Sequence, residues 1–140
     1  MAVFLIFLLL SVSFARDYCL QAVENPYGEP YIDYAFRRAV ERAVLEAGGR
    51  LSCKEGSKRV RLKVESLKET PIAFTPQQRV SSYNLELKLS LQVEEEKKGF
   101  SVALPYSQPT GGLGDLPRRK AVDDAFGIIY LQILEFLGRR

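Results

Sequence analysis

The sequence predicts an α+β fold, a two-layer sandwich with two helices packed on one face of a mixed sheet of about four strands, in the order β-α-β-β-β-α. Three observations predict it. Tyr83, Leu85, Leu87, Leu89, Leu91 and Val93 alternate strictly with Asn84, Glu86, Lys88, Ser90 and Gln92, the period of a strand with one buried and one wet face. Ile32, Phe36, Ala39/Val40, Ala43/Val44 and Ala47 recur at three- and four-residue intervals, the stripe of an amphipathic helix. Ala121/Val122, Ala125/Phe126, Ile129, Ile133 and Phe136/Leu137 repeat that period near the end of the chain. Apolar strand faces must be covered, and two such helices cover one of them.

The first residues have a different character. Residues 3–10 are an unbroken apolar run, followed by Ser11, Val12, Ser13, Phe14 and Ala15 and then the charged pair Arg16-Asp17. This is the layout of a signal peptide, an apolar core of about 7–15 residues with small residues at −3 and −1 of a cut after Ala15. The run is too short to span a bilayer, which takes roughly 20 apolar residues. No Lys or Arg precedes the core, so the α-amino group alone supplies the positive end. Residues 1–15 are therefore expected to be a signal peptide and residues 16–140 a single exported domain.

Within that domain, Tyr18, Leu20 and Ala22 alternate and predict a short first strand, ended by Asn25, Pro26, Gly28 and Pro30. Pro30 sits where a first-turn proline is tolerated, so a helix is expected over 31–47, closed by Gly48-Gly49. Residues 50–53 predict a strand fragment before a turn at Glu55-Gly56-Ser57. Val60, Leu62 and Val64 alternate and the phase then slips to Leu67, which predicts a bulge near Glu65-Ser66. After the long strand, residues 94–99 predict a hairpin turn, and Phe100, Val102 and Leu104 the returning strand. Residues 105–117 carry glycine, proline, serine and threonine without an apolar period and predict a long loop. Its Gly111-Gly112-Leu113-Gly114 is not followed by the lysine and Ser/Thr of a phosphate-binding loop. The last helix, more apolar than the first, is expected in the middle of the core. The strand-helix-strand opening predicts a crossover between parallel strands and the later strands a meander, so the sheet is mixed.

Composition narrows the chemistry. Lys and Arg number 20 against 17 Asp and Glu, a formal charge of +3, and residues 1–15 contribute none of it. Such a balance permits anionic ligands but does not predict a nucleic-acid binder, which concentrates basic charge on one face. Histidine is absent, so the commonest general base is missing and no enzyme is expected. Asp123-Asp124 near a helix start complement its dipole. Cys19 and Cys53 are the two cysteines; in an exported chain they are expected to pair. Neighbouring parallel strands about 4.8 Å apart bring such residues within bridging distance when the register agrees. The other readings are free buried thiols and, for Cys19, lipidation, which calls for a small residue where Tyr18 stands. Two thiols without histidine do not complete a four-ligand site, so no metal or cofactor is expected.

Arg118, Arg119 and Lys120 stand at the start of the last helix, where positive charge opposes the dipole at about 0.3–1 kcal/mol each. Local rules are most often broken at functional sites, which makes this cluster a candidate for binding an anionic ligand. The bland alternative is a solvated patch balanced by Asp115, Asp123 and Asp124. Arg79, before the long strand, is the other basic candidate. Arg139-Arg140 suit a helix C-terminus.

Val23-Glu24-Asn25-Pro26 after a first strand, Glu29-Pro30 opening a helix, and Pro71-Ile72-Ala73-Phe74 before Arg79, Tyr83 and a long alternating strand resemble the lipopolysaccharide-assembly lipoprotein E family, LptE. The resemblance covers most of residues 20–137. It implies a two-helix, four-strand sandwich at the outer membrane of a Gram-negative cell, seated as a plug inside the β-barrel of LptD, assisting its assembly and contacting lipopolysaccharide. On that footing Arg79 becomes a candidate for a headgroup or a barrel-wall carboxylate. The chain departs from the family in lacking a lipidation motif at Cys19. The competing expectation is a free periplasmic binding module or inhibitor with no barrel partner.

Overall fold

In the computed structural model, which describes residues 16–108 and 116–139, the chain runs β1 (Asp17–Glu24), α1 (Pro30–Glu46), β2 (Arg50–Leu51), β3 (Lys58–Phe74), β4 (Val80–Val93), β5 (Glu96–Ser107) and α2 (Leu116–Gly138). The expected signal segment and the Gly111–Gly114 cluster lie outside the described residues. The strands form one sheet in the order β2-β1-β3-β4-β5. β1 is parallel to β2 and to β3, while β3–β4 and β4–β5 are antiparallel, so the sheet is mixed as expected. Among the described residues no helix is long and apolar enough to cross a membrane.

Each element follows from local chemistry, with several shifts from the sequence reading. In β1 the register slips between Leu20 and Val23; Tyr18 and Leu20 are buried, but it is Val23, not Ala22, that packs on the core. The expected bulge in β3 is present, the register shifting between Val64 and Ser66. Asn25 organises the entry to α1, its Nδ2 donating to the Glu29 carbonyl (3.2 Å) and to Asp33 Oδ1 (2.8 Å). At the other end Gly48 N–H donates to the Leu45 carbonyl and Gly49 N–H to the Val44 carbonyl, the paired bonds of a Schellman motif, with Gly48 at φ 85°.

Two boundaries are corrected. The β4–β5 turn holds only Glu94 and Glu95, because Val93 pairs directly with Glu96; the rest of the predicted turn is edge strand, where charge is compatible with solvent. The predicted loop over 105–117 is likewise shortened. Pro105 pairs with Asn84, since a proline on the outer side of an edge strand forfeits no ladder bond, and Pro117 already belongs to α2.

The core fills the space between one sheet face and the helices. Leu85, Leu87, Leu89 and Leu91 of β4 meet Ile32, Phe36 and Val40 of α1 and Ile129 and Ile133 of α2, all essentially fully buried. Each such side chain contributes about 1.5–3 kcal/mol relative to exposure. α1 lies over β1 and β2 and α2 over β5, and the helices meet at Phe36 and Phe126, whose ring centroids are 6.0 Å apart. α2 is not the central element its composition suggests. Ile128 and Leu131 are 40% and 62% exposed, so its surplus apolar residues face solvent.

Cys19 in β1 and Cys53, just beyond β2, form a disulfide with a Cα separation of 4.5 Å. Parallel pairing sets that distance: Arg50 N–H donates to the Arg16 carbonyl (2.8 Å) and Ser52 N–H to the Tyr18 carbonyl (2.9 Å).

Candidate functional site

The starts of both helices and the outer half of the β3–β4 hairpin come together at one end of the fold, and Arg118 joins them. Its Nη1 and Nη2 donate to Glu29 Oε2 and Oε1 at 2.9 and 2.6 Å. Its Nε donates to Glu69 Oε1 at 2.7 Å. That oxygen also accepts the Tyr106 hydroxyl at 2.6 Å. One guanidinium therefore ties the residue before α1, the first turn of α2, β3 and, through Tyr106, β5. The Tyr106 ring stacks on Tyr83 at 5.5 Å. Hydrogen bonding to Glu29, and then to Glu69, raises the Arg118 pKa above its ordinary value against the opposing effect of burial. Burial, then the bond to Glu69, pushes the Tyr106 phenol up.

The basic cluster expected at Arg118, Arg119 and Lys120 and the separate candidate Arg79 have different fates. Arg118 turns inward and is neutralised by two carboxylates. Its counter-charges are Glu29 and Glu69, not the nearby Asp123, which accepts the Tyr31 hydroxyl. Arg119 lies over the Tyr31 ring, 4.7 Å from its centroid, and Lys120 is exposed. Arg79 stands in the β3–β4 turn, its backbone fixed by Thr75, whose N–H donates to the Arg79 carbonyl (2.7 Å) and whose Oγ1 accepts the Arg79 N–H (3.2 Å). The side chain of Arg79 is exposed. Roughly 16 Å of strand separates Glu69 from Phe74, at about 3.3 Å per residue, so Arg79 occupies a tip beyond the Arg118 cluster. Ile72 and Phe74 of that tip are 53% and 62% exposed.

Glu29, Glu69 and Tyr106 give no local signal in the sequence. Glu29 carries only its place before Pro30, and Glu69 and Tyr106 read as ordinary strand residues until the chain folds. What the site offers is positioning and ionic contact. Among the described residues no group of three or more His, Cys, Asp or Glu is placed to hold a metal ion.

This fold, two helices on a mixed sheet with an extended hairpin, is one found in bacterial lipoproteins. A minor lipoprotein from Acinetobacter baumannii superposes with a TM-score of 0.52 at 16% identity, over 87% of this chain and 92% of that one. The rare lipoprotein B from Shewanella oneidensis gives 0.51 at 17% identity, over 86% and 94%. Identities this low show a shared fold. No family model matches the chain. It is 42% identical over 136 residues to an uncharacterized protein of Aquifex aeolicus (strain VF5), covering 97% of this chain and 94% of that protein, and it belongs to the same family.

Proposed function

We propose that this chain is an exported, non-catalytic assembly component of the outer membrane, the plug and assembly partner of an LptD-like β-barrel. In this reading Arg79, Arg119 and Lys120 contact the phosphorylated headgroup of lipopolysaccharide, and Arg118 braces the elements that carry them. The observation that carries it is where the residues of the LptE resemblance fall. Asn25 and Glu29 organise the start of α1, and Pro71, Ile72, Phe74 and Arg79 form the hairpin beyond it. The resemblance thus coincides with one end of a fold that bacterial lipoproteins share. The β3–β4 hairpin presents exposed apolar side chains together with Arg79, a combination suited to a barrel wall or an amphiphilic lipid.

Affinity purification of the tagged protein from membranes is expected to bring down a large outer-membrane barrel. Recovery as a soluble monomer alone rejects the barrel role and favours a free periplasmic module. The purified mature chain is expected to begin at Arg16 by intact mass. Replacing Arg79, Arg119 and Lys120 together by Ala is expected to weaken lipopolysaccharide binding and flatten its salt dependence, since exposed charge contacts are screened by salt. Binding unchanged in that variant removes these residues from the reading.

A further inference from the structure

A second surface lies along the solvent-facing seam between α1 and α2. We propose that this groove docks a carboxylate-bearing segment of a partner protein. The inference rests on the reading of this chain as a partner-binding protein and adds the kind of segment it takes. The groove encloses about 230 Å³ over a floor that includes Ala35, Ala39 and Gly127.

Charge comes first. Arg38 and Arg42 line the seam, and neither is in an ion pair among the described residues. The adjacent Arg37 is neutralised by Glu41 at 3.2 Å. One carboxylate lines the seam with them, Asp123, which accepts the Tyr31 hydroxyl, leaving 2 − 1 = +1. One of the two cations is also pre-positioned: Arg42 stacks on Tyr130 at 4.5 Å. Stacking holds the guanidinium plane and leaves its N–H edge free to grip a carboxylate with two parallel bonds.

Gly127 is the third observation. It sits inside α2 without a positive φ, and a Cβ added there meets nothing within 4 Å. Neither backbone conformation nor packing calls for glycine at a position where it weakens a helix, yet a side chain there would project into the groove. A seam along helix flanks offers few free backbone donors, because these are spent within the helices, so side chains do the recognising. Tyrosine and arginine walls around a small floor are the composition of protein interface centres. Tyr34 at the rim is 61% exposed.

Hexaglutamate is the probe, titrated into the mature chain and followed by amide chemical shifts. Saturable shifts at Arg38, Gly127 and Tyr130, weakening roughly tenfold or more between low and high salt, are expected, with no response to hexalysine. The Arg38→Glu variant should lose roughly tenfold in affinity while keeping the wild-type melting temperature, because this side chain is exposed. Gly127→Leu should also weaken binding while raising helix stability. No saturable shift in the groove, an equal response to inorganic phosphate, or a response to phosphatidylglycerol vesicles without one to hexaglutamate overturns the proposal. The barrel role fails on a different measurement, the co-purification, so the two can be told apart.

Discussion

Arg118 and Glu29 form a two-pronged ion pair, at 2.9 and 2.6 Å, that fastens the first turn of α2 to the residue preceding α1. The two residues are 89 apart in sequence, and the Tyr31–Asp123 bond joins the same two helices beside them. The dipole rule that marks Arg118 as misplaced at a helix N-terminus is outweighed by two carboxylates brought in by the tertiary fold.

Arg118→Ala leaves Glu29 and Glu69 facing each other without their cation. The side chains are 23%, 36% and 26% exposed, so solvent screens part of the effect. A loss of about 1–2 kcal/mol is expected, less than for a fully buried pair. Thermal melts should show a drop of roughly 3–8 °C. Arg118→Lys should recover only part of it, for want of the two-pronged geometry. A melting temperature unchanged in the Ala variant shows that the cluster is not a brace.

Reduction of Cys19–Cys53 should be costly. The bridge spans 34 residues, for which the chain-entropy relation gives about 4 kcal/mol. The melting temperature is expected to fall by on the order of 10–20 °C with far-UV dichroism preserved at room temperature. Two free thiols in denatured, unreduced protein from its native compartment would contradict the bridge.

Gly49 lies against β1, and an added Cβ would sit 2.9 Å from Tyr18 Cε2 and 3.1 Å from the Arg16 carbonyl oxygen. Tyr18 is buried and that carbonyl is held by Arg50 N–H, so neither yields freely. Gly49→Ala should cost about 1–3 kcal/mol by overpacking, read as a lower denaturant midpoint at constant slope. A wild-type midpoint argues against the close approach.

Tyr31 supplies a pH signature. Its hydrogen bond to Asp123, with burial adding to it, pushes the phenol up to about 12. The folded state favours the neutral phenol, so the stabilisation is whole below the ordinary tyrosine value of about 10 and is lost as pH rises through the folded value. Comparing phenolate absorbance titrations of wild type and Tyr31→Phe isolates this group. The missing phenol should ionise near 12, and one that ionises near 10 shows that the hydrogen bond does not form.

What could be read from the sequence alone was whatever depends on neighbours along the chain. The alternation through Leu85–Val93, the helical stripe from Ile32 to Val44 and the phase slip after Val64 each encode a face, and each face is buried where it was expected. The cysteine pairing was legible too, because the parallel crossover that brings Cys19 beside Cys53 is written locally. Only the tertiary structure decided which charges meet. Arg118, Arg119 and Lys120 are consecutive, yet one faces two carboxylates from distant elements, one stacks on a tyrosine and one is exposed. The length of β5 was decided there as well, since an edge strand accepts Pro105 and Glu96 only once its outer side is known to face solvent. The physical reason is range: periodicity and turn chemistry act over a few residues, while ion pairs and edges depend on which distant elements the packed core brings within about 3–4 Å.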